Sequence, residues 1–359
     1  LGPGIALGAA LAVEQINAAG GINGQPVVLI EGDSGCDGAV ALTSLNDVIA
    51  QGAQGVMGAA CSGTSLAILD TAIAAEVVMV SPSNTSPQFT KIDKKGFYAR
   101  TAPSDLLQGD VLASLLVEDG VQTVSIISRA DSYGRGLAEA TAAAFEAAGG
   151  TVKTIVYHAT DATEFTSEVT AVGKGGADAI VGILFPETGC GVLQPAFEQG
   201  LLDTPWYMTD GVKDAGLASL CGLGTALDGF KGTAPGSAAG EAKDAFEAAY
   251  AGVSADGSPT FIFAPQAYDA VMLMAISAAA NGVTGPEIAS GLVAASSGGE
   301  KCIGVACIAL AADGVDVDYV GASGEIELNA VGDPTAATYD IWTTEGDTNP
   351  VLKSVDFGS

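Results

Sequence analysis

Short apolar runs alternate along this chain with longer segments in which apolar residues recur every three or four positions. One short run ends at Met57, and the segment after it places Leu66, Leu69 and Ile73 close to a 3.6-residue period, which predicts a helix. Residues 77–80 are again continuously apolar and mostly β-branched, as in a strand that is buried on both faces. The pattern over this region is therefore strand, helix, strand.

The same alternation continues through the rest of the chain and predicts an α/β fold. Further helices are predicted at residues 5–18, 38–51, 106–118, 136–148, 165–173, 191–199 and 265–280. Further strands are predicted at residues 27–31, 123–128, 152–157, 179–184 and 205–209. A new unit begins after residue 103, so the sequence indicates two α/β halves with a similar order of elements.

Two loops rich in Ser, Thr and Asn follow two of the predicted strands, at residues 61–65 and 81–86. The carboxyl ends of adjacent parallel strands meet at one edge of a sheet, and open α/β sheets hold their ligands at that edge. Hydroxyl groups and free backbone N–H groups at a helix N-terminus suit a carboxylate or another small anion. From the segment alone, a role of Ser62 and Thr64 as simple helix caps is an equally good interpretation.

Composition excludes several classes of partner. The 359 residues suffice for two domains, and 13 Lys and Arg against 42 Asp and Glu give a net charge of −29. Such an acidic surface repels nucleic acid phosphates and anionic lipid headgroups, so neither is expected as a partner. The sequence contains no apolar run long enough to span a membrane and no recognisable signal peptide.

Six cysteines without a CxxC motif favour disulfides formed in an oxidising compartment over a zinc site. Pairing of neighbours along the chain would close three separate loops, although the sequence permits other pairings and also six buried free thiols. The neighbouring pairs are Cys36 with Cys61, Cys190 with Cys221, and Cys302 with Cys307.

Catalytic chemistry finds little support in the sequence. His158 is the single histidine, and the chain has no GxSxG, P-loop or HExxH motif. We expect His158 at the surface and predict no enzyme activity, no cofactor and no metal site. Lys91, Lys94 and Lys95 form a small basic cluster, which we interpret as solvated surface.

Several longer motifs carry a family resemblance over nearly the whole chain. They are AVEQINAAGGINGQPV, GDSGCD, GAACSGTS, VSPSNTSPQFT, FYARTAPSD, DSYGRGLAEA, LFPETG, YMTDGV and GASGEIELNAVGDPTAATYDIW. The chain resembles the type 1 periplasmic binding proteins, specifically the branched-chain amino acid (Leu/Ile/Val)-binding proteins of ABC importers. The resemblance implies two Rossmann-like lobes joined by a three-strand hinge. Lobe 1 would contain residues 1–103 and 235–335, and lobe 2 residues 104–234 and 336–359.

The resemblance also implies a set of ligand-binding residues. Ser62 and Thr85 would bind a ligand α-carboxylate through their hydroxyls, with a backbone group of Ser83 beside them. Tyr133 would reach the ligand from lobe 2, and Asp210 would pair with an α-ammonium, where the leucine-binding relatives have Glu. Without the resemblance, the better interpretation is turn packing for Tyr133 and a turn or helix cap for Asp210.

Other positions implied by the resemblance concern the ligand side chain. Phe263 matches an aromatic wall of that pocket, although an aromatic residue in an apolar run is more often core. Leu184 and Phe185 stand where the family has paired tyrosines, so one hydrogen bond to the ligand is expected to be missing. Asn84 replaces a small apolar residue and leaves room for polar ligands. The family's disulfide corresponds to Cys36 and Cys61.

The function implied is that of an extracytoplasmic solute-binding protein of an ABC importer, not an enzyme. It would bind a branched-chain or other apolar amino acid in the interlobe cleft and deliver it to a membrane permease. The alternative is a binding or sensor protein of the same fold for an amide, urea or aromatic acid. We expect a monomer in the periplasm or outside the cell, free or lipid-anchored. The family's first strand does not precede Leu1, which suggests trimming or processing.

Overall fold

The computed structural model of the protein describes residues 1–357, which form two compact units. Unit 1 contains Leu1–Ser104, Gly236–Thr338 and a terminal stretch that begins at Asp356. Unit 2 contains Asp105–Pro235 and Tyr339–Val355. The predicted end of lobe 2 at residue 359 lies outside the described residues, and the assignment of lobes joined by a hinge stays a prediction.

Helices and strands alternate through most of the described chain, and the prediction of an α/β fold is confirmed. The α-helices are α1 (Gly2–Ala18), α2 (Gly38–Ala50), α3 (Ser62–Ala74), α4 (Gln88–Lys91), α5 (Asp105–Glu118), α6 (Ser132–Ala147), α7 (Thr166–Gly173), α8 (Pro186–Glu198), α9 (Leu217–Leu220), α10 (Glu241–Val253), α11 (Ala264–Asn281), α12 (Gly285–Ala295) and α13 (Ala306–Ala312). The strands are β1 (Gly55–Met57), β2 (Val78–Ser81), β3 (Tyr98–Arg100), β4 (Thr123–Arg129), β5 (Thr151–His158), β6 (Ala179–Ile183), β7 (Trp206–Met208), β8 (Lys231–Pro235), β9 (Glu300–Ile303), β10 (Val317–Gly321), β11 (Gly324–Glu325), β12 (Ala337–Thr343) and β13 (Val351–Phe357).

Unit 1 is built around two small sheets and one long buried helix. Strands β1, β2 and β3 form a parallel sheet in that order, and β11, β10 and β9 form a second sheet. Helix α11 is buried from Ala264 to Ala279 apart from Met274, which explains why its sequence is apolar on every side. It packs against α1, α12 and α13.

Unit 2 contains a seven-stranded sheet in the order β13-β12-β8-β7-β6-β4-β5. Strands β4 to β8 all run parallel to one another, and β12 runs antiparallel to β8. Since the parallel strands point the same way, the residues that follow β4, β6 and β7 lie along one edge of the sheet.

The predicted strand at residues 27–31 is wrong. These residues form no ladder with any strand in the described part of the chain, and the Val28 side chain is 77% exposed. The β-branched sequence favours an extended conformation, yet a strand also requires a neighbour for its backbone groups. That requirement cannot be read from the segment itself.

Two basic side chains predicted at the surface are buried. His158 is 1% exposed at the end of β5, with its ring edge-on to Phe165 at 5.1 Å between centroids, and burial lowers its pKa. Lys94 is 5% exposed because its chain turns inward to Asp333, with Nζ 3.5 Å from Oδ1. Lys91 and Lys95 are exposed, as predicted.

Disulfides join the cysteines that neighbour one another along the chain, which confirms the predicted pairing. Their Cα–Cα distances are 5.4 Å for Cys36–Cys61, 4.9 Å for Cys190–Cys221 and 5.4 Å for Cys302–Cys307. Cys61 is the N-cap residue of α3, so the first bond fixes the start of that helix. None of the helices among residues 1–357 is both long and apolar enough to cross a membrane.

Candidate functional site

The two hydroxyl-rich loops of unit 1 emerge at the same edge of its parallel sheet, as predicted. Strand β1 pairs with β2 in parallel, with Met57 opposite Val80, so the residues after each strand are neighbours. The first of these loops leads into α3 at Ser62, and the second extends from Ser81 to Ser86. A helix N-terminus and a hydroxyl-rich loop are thereby brought together.

Hydrogen bonds connect the two loops directly. The backbone N–H of Ser86 donates to Ser62 Oγ at 3.3 Å, and the Ser83 hydroxyl donates to the carbonyl of Ala60 at 2.9 Å. The Ser81 hydroxyl donates to the carbonyl of Ala59 at 2.9 Å. Ser62 and Ser83 are both buried. The predicted residues Ser62, Ser83 and Thr85 therefore belong to one connected structure.

Asn84, also predicted in the site, uses its side chain to hold the two loops together. Its Nδ2 donates to the carbonyls of Ala59 and Ala60, each at 3.0 Å, and its Oδ1 accepts a hydrogen bond from the Tyr98 hydroxyl at 2.9 Å. Both amide hydrogens are thus engaged. The structure places Asn84 under the loop, where it supports the site and offers no spare donor to a ligand.

Thr85 differs from its neighbours because its hydroxyl is unused. The residue is completely buried, yet Oγ1 has no hydrogen-bond partner within the described residues. An unsatisfied buried hydroxyl costs free energy, and each such group in a native structure calls for an explanation. A ligand group that hydrogen-bonds to Oγ1 would supply one.

Arg100, at the end of β3, supports this loop from below. Its Nη1 donates to the carbonyls of Asn84 at 3.0 Å and Ser86 at 2.9 Å, on either side of Thr85. Its Nε and Nη2 donate to the two carboxylate oxygens of Asp333, at 2.9 and 3.0 Å. The Arg100 side chain is fully buried, so this bidentate ion pair is shielded from water.

Phe263, predicted as an aromatic wall, lies at the N-cap of α11 with a φ of 64°, a left-handed conformation that is unusual for an aromatic residue. The ring is buried. The first turn of α11 is tied to the end of β3 because the Thr101 hydroxyl donates to the carbonyl of Gln266 at 2.7 Å. Residues in such conformations cluster at functional sites, which is consistent with the predicted role of Phe263.

In unit 2, the predicted residues follow three strands that are neighbours in the sheet. Tyr133 is in the first turn of α6 after β4, Leu184 and Phe185 follow β6, and Asp210 follows β7. Helix α6 begins at Ser132, four residues before the predicted start, because the Asp131 side chain caps it through the N–H of Gly134. This brings Tyr133 onto the helix.

Asp210 is the centre of a buried polar cluster in unit 2. Its Oδ1 accepts hydrogen bonds from Gln108 Nε2 at 2.8 Å and from the Tyr133 hydroxyl at 2.9 Å, and the same hydroxyl lies 2.9 Å from Thr209 Oγ1. Burial raises the pKa of Asp210 to about 6, although the hydrogen bonds from Gln108 and Tyr133 act in the opposite direction.

Aromatic and apolar groups surround this cluster. Tyr133 stacks on Phe185, with 5.2 Å between ring centroids and 9° between planes, and Arg129 lies 4.4 Å from the centroid of the Phe185 ring. Leu184 is fully buried. Gly211 lies so close to the Leu184 carbonyl and the Phe185 ring that a Cβ atom there would clash with both. The structure therefore brings Tyr133, Leu184, Phe185 and Asp210 together within unit 2.

Three residues that the sequence did not indicate complete the candidate site. Arg100 supports the Thr85 loop of unit 1, and Gln108 and Thr209 belong to the polar cluster around Asp210 in unit 2. Gln108 is a buried amide in α5, a helix whose other buried residues are mostly apolar, and that contrast was the available signal. Arg100 stands inside the motif FYARTAPSD, but nothing local shows that it is buried. No cluster of three or more His, Cys, Asp or Glu suited to a metal ion occurs among residues 1–357.

A family model described as "Periplasmic binding protein" matches residues 1–301. An "Amino acid binding protein" of Pseudomonas aeruginosa is 34% identical over 223 residues, which covers 60% of this chain and 58% of that relative's length. The "Leucine-, isoleucine-, valine-, threonine-, and alanine-binding protein" of the same species is 29% identical over 289 residues, or 78% of this chain and 74% of the relative.

Solved structures show the same fold at low sequence identity. A branched-chain amino acid transporter substrate-binding protein of Streptococcus pneumoniae in complex with isoleucine has a TM-score of 0.81 and 22% identity, covering 100% of this chain and 95% of its own. A solute-binding protein of an ABC transporter from Rhodopseudomonas palustris HaA2 in complex with p-hydroxybenzoic acid has a TM-score of 0.80 and 20% identity, covering 100% and 93%. At this identity the two structures agree in fold while their ligands differ.

Proposed function

This chain belongs to the periplasmic binding protein family of solute-binding proteins, which are not enzymes, and we propose that it binds an α-amino acid with an apolar side chain. Binding of one ligand by both units, closure on it, location in the periplasm, a monomeric state and delivery to an ABC permease in the membrane are parts of this proposal. They rest on the family and on the relatives' names.

The observation that carries the proposal is the buried carboxyl of Asp210. Its hydrogen bonds come from neutral donors, Gln108 and Tyr133, and no ion pair within the described residues includes it. A buried carboxylate without a cation is costly unless a cation arrives, and the raised pKa reflects that cost. A ligand ammonium would supply the missing charge in a charge-assisted hydrogen bond.

Unit 1 offers the complementary chemistry. Ser62 lies at the N-terminus of the 13-residue helix α3, and the Thr85 hydroxyl is buried without a partner among the described residues. Neutral hydroxyls and a helix N-terminus suit a carboxylate because they stabilise negative charge without a second buried ion. We therefore assign the carboxylate of the ligand to Ser62 and Thr85, with Ser83 beside them.

The side-chain preference follows from three apolar residues of the candidate site. Leu184, Phe185 and Phe263 are buried and apolar, and Phe185 is stacked on Tyr133. An aliphatic ligand side chain gains about 0.8 kcal/mol for each methylene group removed from water, so leucine, isoleucine and valine are favoured over alanine. The name of the second Pseudomonas relative lists leucine, isoleucine and valine, together with threonine and alanine.

An aromatic carboxylic acid is the second candidate. The stacked pair of Tyr133 and Phe185 provides a flat aromatic surface. Because the pKa of Asp210 is about 6, a modest further rise would leave it neutral and able to donate a hydrogen bond to a ligand hydroxyl. The complex of the Rhodopseudomonas structure with p-hydroxybenzoic acid shows that this fold accommodates such a ligand.

Isothermal titration calorimetry of the purified chain tests the proposal, with leucine, isoleucine, valine, alanine, p-hydroxybenzoate and urea as ligands. We expect saturable binding of the branched-chain amino acids, weaker binding of alanine and no response to urea. Ligand at 100 times its dissociation constant should also stabilise the fold by about 2.7 kcal/mol. Binding of p-hydroxybenzoate alone would select the second candidate, and a folded protein that binds none of these ligands would refute both.

A further inference from the structure

A buried group of charged side chains lies beneath the Thr85 loop of unit 1. Arg100 is fully buried and holds both oxygens of Asp333. Lys94 is nearly as buried and also approaches Asp333, with Nζ 3.5 Å from Oδ1. Thr90 completes the group through a 2.6 Å hydrogen bond from its hydroxyl to Asp333 Oδ2. We call Arg100, Lys94 and Asp333 the buried charge cluster.

The buried charge cluster contains two cations and one anion. Asp333 is the only acidic partner of Lys94 and Arg100 in the ion pairs of the described residues. The Arg100–Asp333 ion pair is bidentate and complete by itself, because Nε and Nη2 of Arg100 each donate to one of the two carboxylate oxygens. Lys94 is therefore the surplus positive charge, and its Nζ has no hydrogen-bond partner within residues 1–357.

The surplus charge is not needed to hold the loop. Arg100 donates to the carbonyls of Asn84 and Ser86, whereas Lys94 makes no hydrogen bond to the loop. The ring of Tyr98 lies 5.3 Å from Lys94 Nζ and provides a weak cation–π contact. Burial lowers the pKa of Lys94 and Asp333 offsets only part of this effect, so a buried ammonium here calls for compensating negative charge.

Negative charge on the ligand would provide that compensation. The protein carries a net charge of −29, so its overall field disfavours the approach of an anion. A buried positive charge acts over a longer distance than an exposed one, because water and salt screen it less. The cluster reaches the ligand loop through Arg100, whose two contacted carbonyls flank Thr85.

We propose that Lys94 is a specificity-determining residue that acts at a distance: the surplus positive charge of the buried cluster makes the Thr85 loop of unit 1 selective for ligands that carry a carboxylate. Lys94 does not touch the ligand and acts through the field of the cluster on the loop. This inference rests on the proposed function, since it assumes that a carboxylate binds at Ser62 and Thr85. It applies equally to an amino acid and to an aromatic acid.

The test compares the Lys94→Met variant with Lys94→Arg and Lys91→Met in the full chain. Lys94→Met removes the charge and keeps the length, Lys94→Arg restores the charge, and Lys91→Met makes the same charge change at an exposed position. The probe is L-leucine, or p-hydroxybenzoate if that is the acid that binds. We expect Lys94→Met to weaken binding about tenfold, because the variant loses one buried unit charge that attracts the carboxylate.

Lys94→Arg should recover most of that loss, and Lys91→Met should change affinity less than about twofold. Leucinamide, which lacks the carboxylate, should bind wild type and Lys94→Met with equal affinity. The thermal stability of Lys94→Met should equal or exceed that of wild type. If Lys94→Met does not fold, Lys94→Gln takes its place in the comparison.

The proposal is overturned if Lys94→Met leaves acid binding unchanged, if it weakens acid and amide equally, or if restored charge in Lys94→Arg brings no recovery. These outcomes are distinct from a failure of the proposed function. In that case wild type itself would bind none of the carboxylates, whatever residue stands at position 94.

Discussion

The two units each hold a buried aspartate beside their candidate binding residues, and the two carboxyls are in opposite electrostatic situations. In unit 1, burial acts to raise the pKa of Asp333, but Arg100, Thr90 and Lys94 together lower it below the ordinary value. In unit 2, Asp210 has only neutral donors, and burial raises its pKa to about 6. The residue type is the same, and the neighbours decide its behaviour.

This difference separates Asp333, a structural carboxylate, from Asp210, to which we assign a ligand. Asp269 also lacks an ion pair within the described residues, but both of its oxygens accept hydrogen bonds, from Tyr319, Ala322 and Ser323. Asp333 is an internal counterion that fixes Arg100 and through it the loop around Thr85. Asp210 has no internal counterion in the described residues, and we propose that a ligand ammonium matches its charge. The buried charge cluster of unit 1 thus has one surplus positive charge, whereas the polar cluster around Asp210 in unit 2 has an unpaired negative one.

Removal of Arg100 should have the largest effect on the molecule. Arg100→Met leaves Asp333 buried beside Lys94 alone and deprives the carbonyls of Asn84 and Ser86 of their donors. Breaking a buried ion pair by removal of one partner costs about 3–5 kcal/mol. Urea denaturation should show this loss. The exposed Arg135→Met in unit 2 should lose less than about 1 kcal/mol, and a similar small loss for Arg100→Met would contradict the structural role of the pair.

Removal of the unit 1 disulfide and removal of the unit 2 disulfide should lower stability by similar amounts but affect ligand binding differently. Cys36→Ala with Cys61→Ala opens a 25-residue loop, and Cys190→Ala with Cys221→Ala opens a 31-residue loop. Chain entropy predicts a similar destabilisation of about 3–4 kcal/mol for each pair.

Only the first pair adjoins a residue predicted to bind the ligand carboxylate, since Cys61 precedes Ser62. We therefore expect leucine affinity to fall in the Cys36/Cys61 variant and to persist in the Cys190/Cys221 variant, as measured by calorimetry on the folded proteins. Equal affinity in both variants would show that the start of α3 does not need this bond for binding.

Much of the fold was accessible from local sequence. The strand, helix and strand around residues 56–81 follow from apolar periodicity and from turn residues, and the structure places them as predicted. The failures share a non-local cause. Residues 27–31 are not a strand because strand formation depends on a neighbouring strand. Lys94 is buried because it pairs with Asp333, a residue that also pairs with Arg100 and lies 233 positions after Arg100 in the sequence.

The candidate site shows the same division between local and distant information. Ser62, Ser83 and Thr85 were marked by an unusual density of hydroxyls next to a helix start, which is a local signal. The engagement of Asn84 with Ala59, Ala60 and Tyr98 depends on the packing of two loops and was not predictable. The ligand contacts of all the named residues stay predictions.

Replacement of Asp210 tests whether its negative charge, which has no counterion in the described residues, binds the ligand ammonium. Asp210→Asn keeps the shape and one acceptor but removes the charge, so the affinity for leucine should fall by about 1.5–3 kcal/mol, or roughly 10- to 150-fold. Stability should stay equal or rise, because a buried uncompensated charge is removed. Asp203→Asn, on an exposed turn of the same unit, is the matched control. Undiminished leucine binding by Asp210→Asn would remove the ammonium assignment.

The pH dependence of affinity gives the finest test of the difference between the units. With a pKa of about 6 in the free protein, Asp210 is mostly protonated below pH 6, and an ammonium ligand must displace that proton. Leucine affinity should therefore be constant above pH 7 and fall up to about tenfold per pH unit below pH 6, with proton release detected by calorimetry in buffers of different ionisation enthalpy.

Stability alone cannot isolate this effect, because other buried aspartates also contribute, and with different signs. Asp210 and Asp269 both have a pKa raised to about 6, so each opposes folding increasingly as the pH rises from about 4 to 6. Asp333 has a lowered pKa and contributes stability that is lost on acidification. Among these three carboxyls, we assign only Asp210 to the ligand. A flat affinity profile in Asp210→Asn, against a sloping one in wild type, would identify that carboxyl as the ammonium site, whereas equal slopes would assign the titration to another group.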